Sequence, residues 1–132
     1  MQHIKIVIEA TELLLSHGAN VNEDYEHGEA ALHKAAYKNR KETSEVLLSH
    51  GANVNEKDKY RFTALHIAAY KNRKEATEVL LSHGANVNEK DKDGETALHI
   101  AVDKNRKEAT ELLLYMVQMS MKKINMEKPL FI

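Results

Sequence analysis

Eight histidines are the residues of this 132-residue chain best suited to chemistry, because imidazole binds transition metals and titrates near neutral pH. Six of them form two series with a spacing of 33 residues: His17, His50 and His83, and His33, His66 and His99. Equivalent residues on stacked helices lie about 8–10 Å apart, whereas zinc holds its nitrogen ligands within about 2.1 Å. The spacing therefore argues against a metal site, and we predict no metal and no other cofactor.

Glutamate pairs three residues apart resemble paired catalytic carboxylates. They are Glu42/Glu45, Glu75/Glu78 and Glu108/Glu111. The helical pattern places them on a solvated face, without a cleft that would move one pKa away from the other. The chain also has no cysteine nucleophile, no Gly-x-Ser-x-Gly turn and no phosphate-binding glycine loop. The sequence therefore predicts a protein that is not an enzyme.

The tetrapeptide Lys-Asn-Arg-Lys occurs three times and would form a basic stripe on a stacked array. Its basic residues are Lys38, Arg40, Lys41, Lys71, Arg73, Lys74, Lys104, Arg106 and Lys107. Glutamates one and four residues after each tetrapeptide can pair with it, and no aromatic residues are interleaved for base stacking. We therefore favour a solvated, self-neutralised edge. Binding of anions or nucleic acid along this stripe is the alternative function.

Composition narrows the class of protein. The net charge is −1, with 42% hydrophobic and 30% charged residues and no cysteine, as is typical of proteins in a reducing compartment. The apolar run at residues 4–15 contains Glu9 and Glu12 and lacks a signal-peptide cleavage site. No segment approaches the roughly 18 apolar residues needed to span a bilayer. We expect an intracellular, cytoplasmic protein that does not bind a membrane.

The elements that position these residues follow from a strict repeat. The octapeptide Ser-His-Gly-Ala-Asn-Val-Asn-Glu stands unchanged at Ser16–Glu23, Ser49–Glu56 and Ser82–Glu89, and segments 24–56 and 57–89 agree at 23 of 33 positions. A period of this length indicates stacked units that cannot fold singly.

One unit can be interpreted in detail. Thr63 stands at a helix N-cap, and we predict a first helix over residues 64–71 that Asn72 ends in a left-handed conformation. A second helix is predicted over residues 74–83, ended by Gly84, and an extended finger then leads to the next unit. Each unit is therefore a finger followed by two helices.

The pattern at this point resembles the ankyrin repeat family. Its opening and closing motifs correspond to Gly94-Glu95-Thr96-Ala97-Leu98-His99 and Gly84-Ala85-Asn86-Val87-Asn88, and the resemblance spans roughly residues 3–115. It implies an all-α ankyrin-repeat solenoid of stacked helix-turn-helix units with hairpin-like fingers. It also implies that His33, His66 and His99 bond the backbone of the adjoining finger, and that fingers and first helices share a concave face.

We divide the chain into a partial N-terminal repeat (1–24), repeats at 25–57, 58–90 and 91–116, and a C-terminal cap and tail (117–132). The partial repeat leaves a second helix at residues 6–15 without a first helix. Its apolar face needs a cover, such as a second copy or missing sequence, so self-association through this helix is one expectation. The abrupt start also fits the targeting arm of a larger enzyme.

Two positions depart from the repeat. Arg61 replaces the glycine of the other fingers, Gly28 and Gly94. If this turn needs a positive φ, arginine costs roughly 1 kcal/mol there. We therefore expect a reshaped middle finger.

The last helix has no glycine to end it and should continue to about Lys123. The residues predicted to cap the stack are Met116, Met119, Met121 and Ile124.

The fingers vary from unit to unit while the helices do not, which indicates surface chemistry particular to each unit. The middle finger carries Tyr60, Arg61 and Phe62 in succession, and such residue types dominate binding hot spots. We therefore predict a scaffold that binds a still unidentified protein through its concave face and finger tips. The predicted partner-binding residues are Glu26, His27, Glu29, Tyr37, Lys59, Tyr60, Arg61, Phe62, Tyr70, Lys92, Asp93, Glu95 and Asp103.

Overall fold

The computed structural model describes residues 2–24 and 28–127. Within these ranges the chain forms seven helices and no strand. The helices are α1 (Gln2–Ser16), α2 (Ala31–Tyr37), α3 (Lys41–Ser49), α4 (Ala64–Tyr70), α5 (Lys74–Ser82), α6 (Ala97–Asp103) and α7 (Lys107–Glu127). None of the helices in these ranges is long and apolar enough to cross a membrane.

The ends of α4 and α5 lie within one residue of the predicted positions. Thr63 has extended backbone angles, and its hydroxyl accepts a hydrogen bond from the backbone N–H of His66 at 3.3 Å, which satisfies one of the free donors of the first turn. Asn72 closes the pair's turn with a φ of 54°, and Gly84 follows α5 with a φ of 86°. The predicted N-cap and both predicted helix ends are confirmed.

The helices form two layers. The inner helices α2, α4 and α6 pack on one another in order, and the outer helices α1, α3, α5 and α7 do the same. Alanine and leucine dominate the shared core, because alanine lets neighbouring helices approach closely. Its buried members are Leu32, Ala35, Ala36, Leu47, Ala64, Leu65, Ala68, Ala69, Ala76, Leu80, Leu81, Ala97, Ala101, Ala109 and Leu113. The predicted continuous column of small aliphatic residues is confirmed.

The last helix is longer than predicted and is not a compact cap. It continues to Glu127, four residues beyond the expected Lys123. Met116 packs against the core, but Met119, Met121 and Ile124 are exposed. The predicted cap is therefore wrong for those three residues. Helix α7 is much longer than its partner α6, and this part of α7 extends beyond the stacked helices. The predicted tail after Glu127 lies outside the described residues.

The middle finger keeps the turn of its neighbour despite Arg61. The φ of Arg61 is 66°, close to the 78° of Gly94, and both fingers close with the same backbone hydrogen bond of 2.9 Å, from Asp58 N to Phe62 O and from Asp91 N to Glu95 O. The expected reshaping is therefore wrong, because the arginine adopts the conformation that glycine favours. This turn retains the backbone strain.

Candidate partner-binding surface

Two buried histidines, His33 and His66, join their inner helices to the finger that follows. His99, expected to do the same, is exposed and bonds Thr96 of its own unit instead, because no finger follows α6 within the described residues. His66 Nδ1 accepts a hydrogen bond from the backbone N–H of Thr63 at 3.0 Å, and its Nε2–H donates to the carbonyl of Glu95 at 3.0 Å. His33 Nε2 bonds the carbonyl of Phe62 at the same distance. Burial lowers the pKa of His66 below its usual 6.5. Among the described residues, no group of three acidic or histidine side chains is arranged to hold a metal ion.

The arginines of the Lys-Asn-Arg-Lys turns bond the backbone of the preceding unit. Arg73 donates from Nε to the carbonyl of Tyr37 at 3.0 Å, and Arg106 donates to that of Tyr70 at 2.8 Å. Those carbonyls end α2 and α4, where intrahelical partners run out. The solvated-edge interpretation is therefore wrong for Arg73 and Arg106, which take part in stacking. A basic stripe without them is a weaker candidate for nucleic-acid binding.

The asparagines of the same turns also bond the backbone of a neighbouring unit. The side-chain oxygen of Asn39 accepts from the backbone N–H of Ala76 at 3.0 Å, and that of Asn72 accepts from Ala109 at 3.1 Å. Asn72 also donates to the carboxylate of Glu108 at 2.8 Å, which lowers the pKa of Glu108. These bonds were missed from the sequence, although the fixed Asn-Arg pair at each turn was a signal for them.

Tyrosines and lysines alternate at the far ends of the inner helices, where Tyr37, Tyr70 and Lys104 are exposed and Lys71 is half-buried. The ammonium group of Lys71 lies 4.8 Å from the ring centre of Tyr37 and 5.6 Å from that of Tyr70, and Lys104 lies 5.5 Å from the ring of Tyr70. We call these four residues the tyrosine–lysine row. Such distances allow cation–π attraction, which holds flexible lysines against the rings. Asp103 stands at the position equivalent to Tyr37 and Tyr70. It is exposed, and its carboxylate lies 3.9 Å from the ammonium group of Lys104.

A second group of aromatic and basic side chains lies at the middle finger. Lys59 and Lys92 place their ammonium groups 5.3 and 5.2 Å from the ring centre of Tyr60. The ring of Phe62 lies 6.3 Å from that of Tyr60 and 5.9 Å from that of His66. Tyr60 is exposed and Phe62 is half-buried. We call Lys59, Tyr60, Phe62 and Lys92 the finger cluster.

The finger cluster stands on a fixed turn. The carboxylate of Asp58 accepts from the backbone N–H groups of Tyr60 and Phe62 at 2.8 and 2.9 Å. Asp91 makes the same pair of bonds in the third finger, to Asp93 and Glu95, and is itself buried. A side chain that bonds its own turn in this way limits the backbone conformations available.

The middle and third fingers are also bonded to each other. The backbone N–H of Lys92 donates to the carbonyl of Tyr60 at 3.2 Å. Lys57 forms an ion pair of 2.8 Å with Glu89, and its hydrogen bond lowers the pKa of that carboxyl group. The finger cluster is therefore contributed by two adjacent units that are held in register.

The predicted site residues that the structure describes form two groups along α4. The finger cluster lies at the start of α4 and the tyrosine–lysine row at its end, separated by a seven-residue helix about 10 Å long. Arg61 lies in the middle finger and is exposed, as are Asp93 and Glu95 in the third, and Glu29 is half-buried. Glu26 and His27 lie outside the described residues.

Comparison with known proteins agrees with this architecture. A family model described as ankyrin repeats (3 copies) matches residues 2–58 and 55–125, whereas no curated protein matches the chain. Ankyrin repeats are generally protein–protein interaction modules and are typically not enzymes. On its fold, its repeated motifs and these matches, the chain belongs to the ankyrin repeat family.

Proposed function

We propose that this chain binds a partner protein through the finger cluster and Arg61, with the tyrosine–lysine row as the outer part of the same surface. Tyrosine and arginine dominate binding hot spots, because each combines a large contact area with a hydrogen-bonding group. The fixed turn beneath Tyr60 supports this assignment, since a preorganised surface loses little conformational entropy on association. Glu29, Asp93, Glu95 and Asp103 would lie at its margin.

The observation that carries the proposal is the strained backbone of Arg61. A φ of 66° is one that glycine adopts freely, and glycine stands at this position in the first and third fingers. The arginine costs roughly 1 kcal/mol there. A residue that destabilises its own turn, and whose side chain is exposed, is best explained by a contact with another molecule.

Replacement of Arg61 by glycine tests this explanation, because stability and binding should change in opposite directions. Arg61→Gly should raise the free energy of unfolding by roughly 1 kcal/mol, measured by urea denaturation, while it weakens partner capture. Tyr60→Ser should weaken capture further without a large change in stability, since the ring is exposed. Phe62 is a poorer choice because its ring packs on His66.

Capture is measured with immobilised wild-type protein, the Arg61→Gly/Tyr60→Ser variant and a matched control, Tyr115→Ser, which removes an exposed tyrosine from α7. Proteins recovered from lysate are quantified by mass spectrometry. We expect specific partners to be retained by the wild type and the control and lost by the double variant. Equal recovery on all three proteins would refute the finger site.

A further inference from the structure

The N-terminal end of the stack contains a groove that the finger surface does not use. Helix α1 packs against α3 and, among the described residues, against no inner helix. A cavity of about 790 Å³ opens between α1 and the first helix pair. Its apolar walls are formed by Val7, Leu14 and Leu15 of α1, Ala31 and Ala35 of α2 and Leu47 of α3.

The groove lies where an inner helix would pack beside α1 if the arrangement of the later units were repeated. Elsewhere in the stack the equivalent surface is covered, because α2 lies on α4 and α4 lies on α6. Four leucines at equivalent positions show the difference: Leu47, Leu80 and Leu113 are 4%, 0% and 0% exposed, whereas Leu14 is 63% exposed. A helix is therefore the shape that this surface accommodates.

The charges around the groove select among possible helices. Lys34, Lys38 and Arg40 line it, and Glu23 is the acidic residue among the lining side chains. Lys34 stands where the later units carry Ile67 and Ile100, so this position is basic in the first unit only. A net positive rim favours a segment with acidic side chains.

Arg40 indicates how such a segment would be oriented. Its equivalents, Arg73 and Arg106, donate to a carbonyl at the C-terminal end of the preceding inner helix. Arg40 is exposed beside the empty position of that helix. A helix in the groove would direct its C-terminal carbonyls to Arg40, and the partial negative charge of a helix C-terminus favours the same basic residues.

From this geometry we propose that the groove binds a short amphipathic helix of a partner protein, with small apolar residues against α2 and acidic residues near its C-terminal turn. This site is independent of the finger cluster. A second copy of the chain offers exposed apolar side chains on α7, but Lys122 and Lys123 of that segment would meet a basic rim. Charge therefore favours an acidic partner over self-association.

Two labelled probes test the proposal. Both are stapled helical peptides of about 14 residues with one alanine–leucine face, and they carry either glutamates or lysines near the C-terminus. Fluorescence anisotropy should show that the acidic peptide binds the full chain about tenfold or more tightly than the basic one, an advantage of about 1.4 kcal/mol. This preference should shrink as salt screens the charges.

Two exposed substitutions locate the binding. Leu14→Glu places a charge on the apolar wall, and Lys38→Glu/Arg40→Glu reverses the rim; each should weaken acidic-peptide binding about tenfold or more. The matched control, Lys74→Glu/Lys107→Glu, makes the same change in net charge on exposed residues outside the groove and should retain most of the affinity. Far-UV circular dichroism verifies that each variant is folded.

Several outcomes would overturn the proposal. One is equal binding of the acidic and basic peptides, and another is acidic-peptide binding that Leu14→Glu does not weaken. A third is a concentration-dependent dimer in analytical ultracentrifugation that Leu14→Glu abolishes, with no peptide binding by the wild-type chain. This last result would assign the groove to a second copy.

Discussion

The first and second helix pairs, α2 with α3 and α4 with α5, have nearly the same sequence but different surroundings. Arg73 bonds the carbonyl that ends α2, whereas its equivalent Arg40 is exposed at the end of the stack. The residue types also differ at one buried position: Thr77 donates its hydroxyl to the carbonyl of Arg73 at 2.7 Å, whereas Ser44, which stands in its place in the first pair, has a buried hydroxyl with no hydrogen-bond partner among the described residues. The comparison teaches that position in the stack decides what a repeated residue contributes.

The largest expected effect concerns the equivalent leucines of the outer helices. Leu80 is fully buried, so Leu80→Ala should lower the free energy of unfolding by about 2–5 kcal/mol through lost transfer free energy and the cavity it leaves. Leu14→Ala removes the same atoms from a largely exposed site and should change stability by less than about 0.5 kcal/mol. Urea denaturation of both variants measures the difference.

Similar losses for the two variants would contradict the comparison, because they would mean that Leu14 is as well covered in solution as Leu80. Leu47→Ala provides an internal control. It lies in the first helix pair but is buried, so its loss should resemble that of Leu80→Ala.

A smaller effect is expected at the helix N-caps. Ala30 and Thr63 have nearly the same backbone angles, but Ala30 lacks the hydroxyl that accepts from the first turn of the helix. Ala30→Thr should therefore stabilise the chain by about 1 kcal/mol, and Thr63→Ala should destabilise it by about the same amount. Thermal unfolding of both variants checks these signs. A loss of stability in Ala30→Thr would show that the two caps are not equivalent.

The smallest effect is a dependence on pH. Burial lowers the pKa of His66 in the folded state below the 6.5 of the exposed residue, so the unfolded chain binds the proton more tightly. The contribution of neutral His66 to the free energy of unfolding is complete above about pH 6.5. It is lost as the pH falls through the lower pKa of the folded state. Urea denaturation at several pH values should show this loss, which His66→Gln should reduce. NMR titration of the His66 ring provides a direct check, and a folded pKa of 6.5 or above would contradict it.

Local features of the fold were predictable from the sequence. The period defined the unit, and the N-cap Thr63, the turn residue Asn72 and the terminating Gly84 fixed the helices to within a residue, because each acts on backbone atoms close to it in the chain. The role of the buried histidines followed from the family resemblance. Contacts within one unit leave a direct signal in the sequence.

Apart from the histidine bonds, the features that depend on packing between units were not predicted. The arginines and asparagines of the turns were interpreted as polar surface, since their partners are backbone atoms about 36 residues away. The cap on α7 was predicted from apolar composition, although those residues extend past the stack. The separation of the predicted site residues into two groups was likewise not evident, because the sequence gives no measure of the distance between fingers and helix ends.

The bonds between units have a consequence for how such a chain changes length. His33 to Phe62, Asn39 to Ala76 and Arg73 to Tyr37 join neighbouring units through side chains or backbone atoms that every complete copy supplies. Duplication of one period would therefore create a new junction with the same bonds and need no compensating substitution. Genes for such an array can therefore gain or lose whole units without a change in the bonds that hold the stack together.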